Sequence, residues 1–357
     1  MQWGSDTAAI LQLEDGFGTR RIETDGSGVT VEVLQLSAAL AAHHEFEMSM
    51  RSRAERLSAA SIEGVARVHR IEREGAALRV VAEHVEGLRL PDLLREAIKG
   101  NIPLPQPAAL ELAGRMLRIG AALHQVPGML HGAITPAHVV ITRSGGVVLT
   151  DAVFGSALES LQRNREQLWR EFRLALPASA SLPRFDQRAD VAQLGATVLA
   201  IALGRPLRES EYPRSINEAV FAVTLAARHG ESGTSASALR MWLQQALHLH
   251  PRASFASAVD AHRAYSETLG STAARRGGVE AFESSVRRIF GDTSASAEAA
   301  ELAAAWSQPS VVHHVPQAVA PSQPAYQRTP LPPPARDQST GPLSSILRHV
   351  LPLFRAT

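Results

Sequence analysis

The sequence predicts an α+β chain with a small strand-rich lobe built around one main helix, a larger helical lobe, and a Pro- and Ser-rich tail. Three observations carry this. Apolar residues alternate in early stretches such as GVTVEVLQL at 28–36, and from residue 88 they recur at helical spacing. Near residue 270 the composition shifts, and SQPSVVHHVPQAVAPSQPAYQRTPLPPPARDQSTGP follows, too poor in large apolar groups to offset the entropy of ordering.

In the first lobe, 10–87, GVTVEVLQL and AALRVVAEHVEG (76–87) are rich in β-branched residues and read as strands. Between them, HHEFEMSMRSRAERLSAA (43–60) has neither Pro nor Gly and places Phe46, Met50, Ala54 and Leu57 on one helical face. In the second lobe, 88–268, four segments carry the 3.6-residue period: LPDLLREAI, PAALELAGRMLRIGAALHQV, RADVAQLGATVLAIALG and ASALRMWLQQALHL. Residues 269–306 read as a partly helical linker through VEAFESSVRRIFGD and SAEAAELAAAW, and 307–342 as a disordered linker. In 343–357, Ile346, Leu347, Val350 and Leu351 form the stripe of a short amphipathic helix whose length Pro352 limits.

Bulk properties exclude several classes. Lys plus Arg total 36 against 35 Asp plus Glu, so charge gives no reason to expect a nucleic-acid partner. With no cysteine, disulfides, thiolate metal sites and cysteine nucleophiles are ruled out. The N-terminus has early acids and no basic region before an apolar block, and the longest apolar run, 196–204, is well short of the ~20 residues a spanning helix needs. A cytoplasmic protein without a membrane span in this chain is expected. His43 with His44, His248 with His250 and His313 with His314 lack a third ligand at a persuasive spacing, and no G-x-S-x-G, H-E-x-x-H or P-loop pattern occurs.

The motifs HGAITPAHVVIT (131–142) and DAVFG (151–155), with RADVAQLGATVLAIALGRPL (188–207), LALP (174–177), RVVAEHVEGLRLPDLL and LQQALHLHPRASFASAVDAH, are similar, in order, to the landmarks of the eukaryotic-type protein kinase superfamily, as in bacterial Ser/Thr kinases. The resemblance spans roughly residues 10–268 and implies a two-lobed protein-kinase-like fold with an antiparallel β-rich N-lobe and an α-helical C-lobe. His131, Pro136, Asp190, Gly195 and Arg252 match structural landmarks. It implies that His131 packs, that Asp190 caps its helix and holds the catalytic loop, and that Arg252 lacks its usual partner because Ala178 replaces the A-P-E Glu. Asp151 matches the metal-binding Asp, with a plain turn-capping role as the alternative.

The same resemblance places chemically inert or opposing groups where kinase chemistry needs others. Ala133 stands at the catalytic base, which requires a carboxylate. Thr135 replaces the loop Lys, and His138 replaces the Asn that offers an oxygen to Mg²⁺, a hard cation poorly served by a ring nitrogen. Glu32 falls at the phosphate-pairing Lys, where it would repel phosphate. Arg53 falls, within about two residues, at the paired Glu, with Glu47 and Glu55 as alternatives; a Glu32–Arg53 pair of reversed polarity is one expectation. Gly16 and Gly18 remain of a glycine-rich loop that would bind the cofactor, but Glu14 and Asp15 disfavour an anion, and a plain hairpin turn fits equally well.

The reading is a degenerate member, a pseudokinase serving as an interaction or regulatory module with negligible phosphotransfer and no catalytic residues. No cofactor is expected beyond weakly held Mg-ATP. Its partners would be proteins, an active kinase or its substrates among them, with PLPPPARDQ (330–338) as a candidate polyproline ligand. The alternative is a divergent kinase or nucleotide-binding phosphotransferase using Asp151 for metal, with Glu32 or Glu166 brought into the cleft. A third reading makes the tail the juxtamembrane linker of a receptor kinase.

Overall fold

The computed structural model describes residues 13–294 apart from 103, 180 and 229–232. The stretches 295–306, 307–342 and 343–357, and with them the polyproline and His313/His314 readings, lie outside the described residues.

The N-lobe is a five-stranded antiparallel sheet in the order β1-β2-β3-β5-β4, made of β1 (Leu13–Asp15), β2 (Gly18–Thr24), β3 (Thr30–Leu36), β4 (Val68–Glu74) and β5 (Ala77–Glu83). After the single turn α1 (Ala38–Ala41), helix α2 (His44–Ala60) packs against it. Phe46 and Met50 of the expected face are buried with Leu34, Leu78 and Val80 of the sheet. Within 76–87 a single strand forms: β5 stops at Glu83, and after an irregular crossing β6 (Leu88–Arg89) joins a second, three-stranded sheet with β7 (Val139–Ile141) and β8 (Val147–Leu149). Gly87 makes that junction; a Cβ there would lie 2.3 Å from the carbonyl oxygen of Ile141.

The C-lobe contains α3 (Leu90–Lys99), α4 (Gln106–Gln125), α5 (Arg165–Phe172), α6 (Gln187–Leu203), α7 (Ile216–Arg228), α8 (Gly233–Ala246), α9 (Ala258–Tyr265), α10 (Ser271–Arg275) and α11 (Gly278–Ser294). Helix α6 is apolar all round and sits at the centre, as such a helix must. The segment read as a linker from 269 continues this bundle: Phe282, Val286, Ile289 and Phe290 of α11 join the main core beside α4, and the Arg115 guanidinium lies 4.9 Å from the Phe282 ring. No described helix is long and apolar enough to cross a membrane.

A second apolar cluster joins the lobes. It gathers Phe17 from the β1–β2 turn, Phe46 from α2, Ala133 from the loop before β7, Phe154 from the segment after β8, and Phe172 from α5. These five places frame the cleft.

Candidate functional site

At the roof of the cleft, Asp15 Oδ1 accepts the backbone N–H groups of Phe17 (2.8 Å) and Gly18 (3.3 Å). A phosphate-binding turn offers such donors to the anion, and here a carboxylate already holds them. Glu14 is exposed instead. The Phe17 ring turns inward, stacks on Phe154 at 4.2 Å and 15°, and meets Phe172 at 4.7 Å and His138 at 5.4 Å. A Cβ on Gly16 would lie 1.7 Å from the Glu171 carbonyl oxygen, so α5 covers the turn. Gly18 sits at φ +153°, where a Cβ would lie 2.1 Å from the Gln35 carbonyl oxygen. Both glycines serve close packing.

Beneath the turn lies a network of charges. Arg20, 3% exposed on β2, gives Nε to Asp15 (2.8 Å) and Nη1 to both Glu32 (2.9 Å) and Asp151 (3.0 Å). Glu32 takes Arg89 Nη2 on both its oxygens (2.8 and 2.9 Å), and Arg89 Nη1 donates to the Ala137 carbonyl. The other Asp151 oxygen accepts the Thr150 hydroxyl at 2.7 Å. His138 Nδ1 donates to the Ala133 carbonyl (2.6 Å), which turns Nε2 toward Asp15 and Asp151, 3.8 Å from each. Burial pushes the Asp151 carboxyl upward, yet Arg20, His138 and Arg89 together hold it well below the usual carboxylate range. Asp15 is held low in the same way, by His138 and Arg20 against burial. For Arg20, burial is outweighed by Asp151, Asp15 and Glu32, which raise its affinity for the proton.

The expected Glu32–Arg53 pair does not form, because Arg20 and Arg89 claim Glu32. Arg53 does face inward from α2, 2% exposed, and it donates to three carbonyls: Val153 (3.1 Å), Leu130 (2.6 Å) and Ala152 (2.7 Å). The helix is thereby pinned to the segment behind Asp151. Gly155 makes room, since a Cβ there would stand 1.9 Å from Arg53 Cζ. Burial pulls the Arg53 pKa down to about 10, against the pull of Asp190, and leaves it charged at neutral pH. Of the alternatives, Glu47 binds Arg51 and Arg73, and Glu55 is exposed.

The loop that carries Ala133 is held from below. Asp190, fully buried, accepts the N–H groups of His131 (2.6 Å) and Gly132 (2.6 Å) and bonds His124 Nε2 at 2.9 Å. The expectation that it also caps its helix is corrected: Asp186 is the cap, accepting Ala189 N–H at 3.0 Å, and Asp190 lies inside the first turn. Gln193, one turn further on, accepts Ile134 N–H (2.8 Å) and donates to the Gly132 carbonyl (3.1 Å). Gly195 lets α6 approach α8, its missing Cβ 3.0 Å from that of Ala246. Pro136 opens the 3₁₀ turn Pro136–His138.

His131 is fully buried, and its Nδ1 accepts Ala133 N–H at 3.2 Å. Burial, opposed by Asp190, lowers its pKa to about 4 from 6.5. As pH falls below about 6.5 the unfolded chain binds this proton first, so stability should decline progressively down to pH 4, by roughly 3 kcal/mol from this group. Denaturant titrations at pH 7, 5.5 and 4.5 check this. A His131→Asn variant should show a flatter profile, and an unchanged one would assign the acid loss to other groups.

The remaining positions scatter. Thr135, at the loop-Lys place, is buried and lines a cavity of about 230 Å³ with Trp169 and Leu207. Glu166 is exposed on the first turn of α5, outside the charge network. Arg252 is exposed and has no ion pair among the described residues. In LALP, the backbone N–H of Leu176 is held by the Tyr212 hydroxyl at 2.7 Å. Phe17, Arg20, Arg89, Gln193, Asp186 and Gly155 were not singled out from the sequence; the Phe between two glycines was its one visible signal.

Mg-ATP, the group the kinase resemblance implies, does not fit these residues as arranged. The Asp151 carboxylate is committed to Arg20 and Thr150, its neighbour His138 presents nitrogen, and the turn's N–H groups belong to Asp15. Among the described residues no group of three or more His, Asp or Glu side chains is placed to hold a metal ion.

Two lobes, an inward-facing α2 and a loop anchored by Asp190 define the protein-kinase architecture. No family model matches the sequence. A probable serine/threonine-protein kinase of Corynebacterium efficiens is 29% identical over 199 residues, which cover 53% of this chain and 29% of that protein. The chain thus matches under a third of the length of this relative. Two variant forms of the Mycobacterium tuberculosis PknI kinase domain, 21% and 19% identical, each align with a TM-score of 0.51. They cover 76% and 75% of this chain and 100% and 99% of theirs. The chain thus has a protein-kinase-like fold and, over 199 residues, a sequence similar to that of a probable bacterial serine/threonine kinase.

Proposed function

We propose that this is a pseudokinase, a kinase-shaped domain that acts through protein contacts and transfers phosphate negligibly. The observation that carries the reading is the filled cleft, in which Phe17 and Arg20 occupy the space and the carboxylate that a metal-bound nucleotide would use. Proton abstraction has no group to perform it at Ala133, which is wholly buried and apolar. Phosphate would have to displace Arg20 and Arg89 from Glu32, and it would then face that carboxylate at close range. Protein partners, an active kinase or its substrates, are the ligands this architecture suits.

Thermal denaturation with and without millimolar ATP and Mg²⁺, followed by transfer of labelled γ-phosphate, tests the proposal. The expected result is a Tm shift below about 1 °C, since binding stabilises only by RT ln(1 + [L]/Kd), and no label transfer. A saturable Tm rise with label transfer, both lost in Asp151→Ala, would sink the reading in favour of a divergent phosphotransferase. In a Phe17→Ala/Arg20→Ala variant, which opens the cleft, weak nucleotide binding without transfer is expected.

A further inference from the structure

In the C-lobe, lined by none of the cleft residues described above, runs an apolar groove between four helices. Leu94 and Ile98 of α3, Ala109 and Ala113 of α4, Ile201 of α6 and Leu239 of α8 line it, with Gln106 as a polar side chain at one end. Its open volume of about 40 Å³ leaves room for the ends of inserted side chains and not for a folded cofactor. Small residues on α4 keep the slot open, and Ile98 stands at its rim 58% exposed, an apolar side chain prepared for a contact.

We infer that this groove receives residues 343–357 of the same chain, the segment with Ile346, Leu347, Val350 and Leu351 at helical spacing. Apolar residues at i, i+1, i+4 and i+5 present two adjacent ridges, the complement of a slot between helices. The chain's course favours its own segment over an outside partner. Helix α11 packs along α4, the helix that supplies Ala109 and Ala113, and Gly278 at its start lies against the Pro107 carbonyl. Residues 295–342 separate α11 from the stripe, and a stretch of that length spans up to roughly 150 Å when extended. Helix α4, at 20 residues, is only about 30 Å long. Tethering holds the segment at an effective concentration on the order of millimolar, enough for a modest apolar contact.

The chain contains no cysteine, so two introduced thiols are its only ones. In the full chain, Ile98→Cys with Leu347→Cys is compared with Phe221→Cys with Leu347→Cys under a short bismaleimide cross-linker. Ile98 and Phe221 are both exposed, at 58% and 53%, so neither change touches the core. Intramolecular cross-linking should be at least about tenfold faster for the Ile98 pair. Adding Ala109→Phe, which fills the slot, should abolish that advantage without lowering Tm. Equal rates in the two pairs would overturn the inference, as would an advantage that survives Ala109→Phe. Mainly intermolecular products from the Ile98 pair would assign the groove to a second copy and overturn it too.

Discussion

Replacing Arg53 with methionine should lower the unfolding free energy by roughly 3–5 kcal/mol, because it removes charged hydrogen bonds to two buried carbonyls and one half-buried one and takes away the donor each of them has. The lesion is one of connectivity. Arg53 ties α2 to Leu130 before the catalytic-type loop and to Ala152 and Val153 behind Asp151. Arg53→Lys keeps the charge but loses the planar fork, and should recover less than half of the loss. Gly155→Ala attacks the same contact from the other side, since its Cβ would stand 1.9 Å from Arg53 Cζ at a backbone φ of +38°. Urea titration of the three variants checks the set. A loss below about 1 kcal/mol for methionine would mean that water or a small backbone shift satisfies the carbonyls.

Asp190→Ala should cost a similar amount, about 3–5 kcal/mol, since it leaves two backbone N–H groups and a buried imidazole donor unpaired around a void. Burial pushes the Asp190 carboxyl upward, and His124, His131 and the loop N–H groups hold it low, so the ion is present at neutral pH. Asp190→Asn is the sharper test. Its amide oxygen can serve one or two of the donors, but its NH₂ group must then face another donor, so the loss should stay above about 2 kcal/mol. The Gln193 side chain is already committed to Ile134 and Gly132 and cannot replace it. Chemical denaturation measures the loss; near-wild-type stability in Asp190→Asn would refute the anchoring role.

Much of the fold was legible because it rests on periodicity. The helix read over 43–60 is α2 at His44–Ala60, and the four C-lobe patterns are α3, α4, α6 and α8. The misses have local causes. Strand β4, VHRIERE, is an edge strand whose charges hide its alternation. Helix α5 is eight residues long and depends on the Asn164–Gln167 capping box and on Trp169 packing against Tyr212 at 4.7 Å. Helix α11 showed its pattern in VEAFESSVRRIFGD, but whether it docks depends on α4, some 170 residues earlier in the chain.

By itself, the sequence determined which residue types stand at the positions that the kinase resemblance marks for catalysis. Ala133 carries no proton acceptor, and Glu32 is a carboxylic residue where the resemblance implies a phosphate-pairing Lys, whatever surrounds them. It also marked His131, Pro136, Asp190 and Gly195 as scaffold, because their roles depend on position along the chain. Only the tertiary structure decided what fills the space left behind. Arg20 and Asp151 are 131 residues apart, Arg53 and Val153 are 100, and Phe17 stacks on a ring from the opposite lobe. A buried ion takes whatever opposite charge the fold brings within about 3 Å, and spacing along the chain does not encode that distance. For this reason the reversed Glu32–Arg53 pair was a reasonable expectation, and the guanidinium instead found three carbonyls.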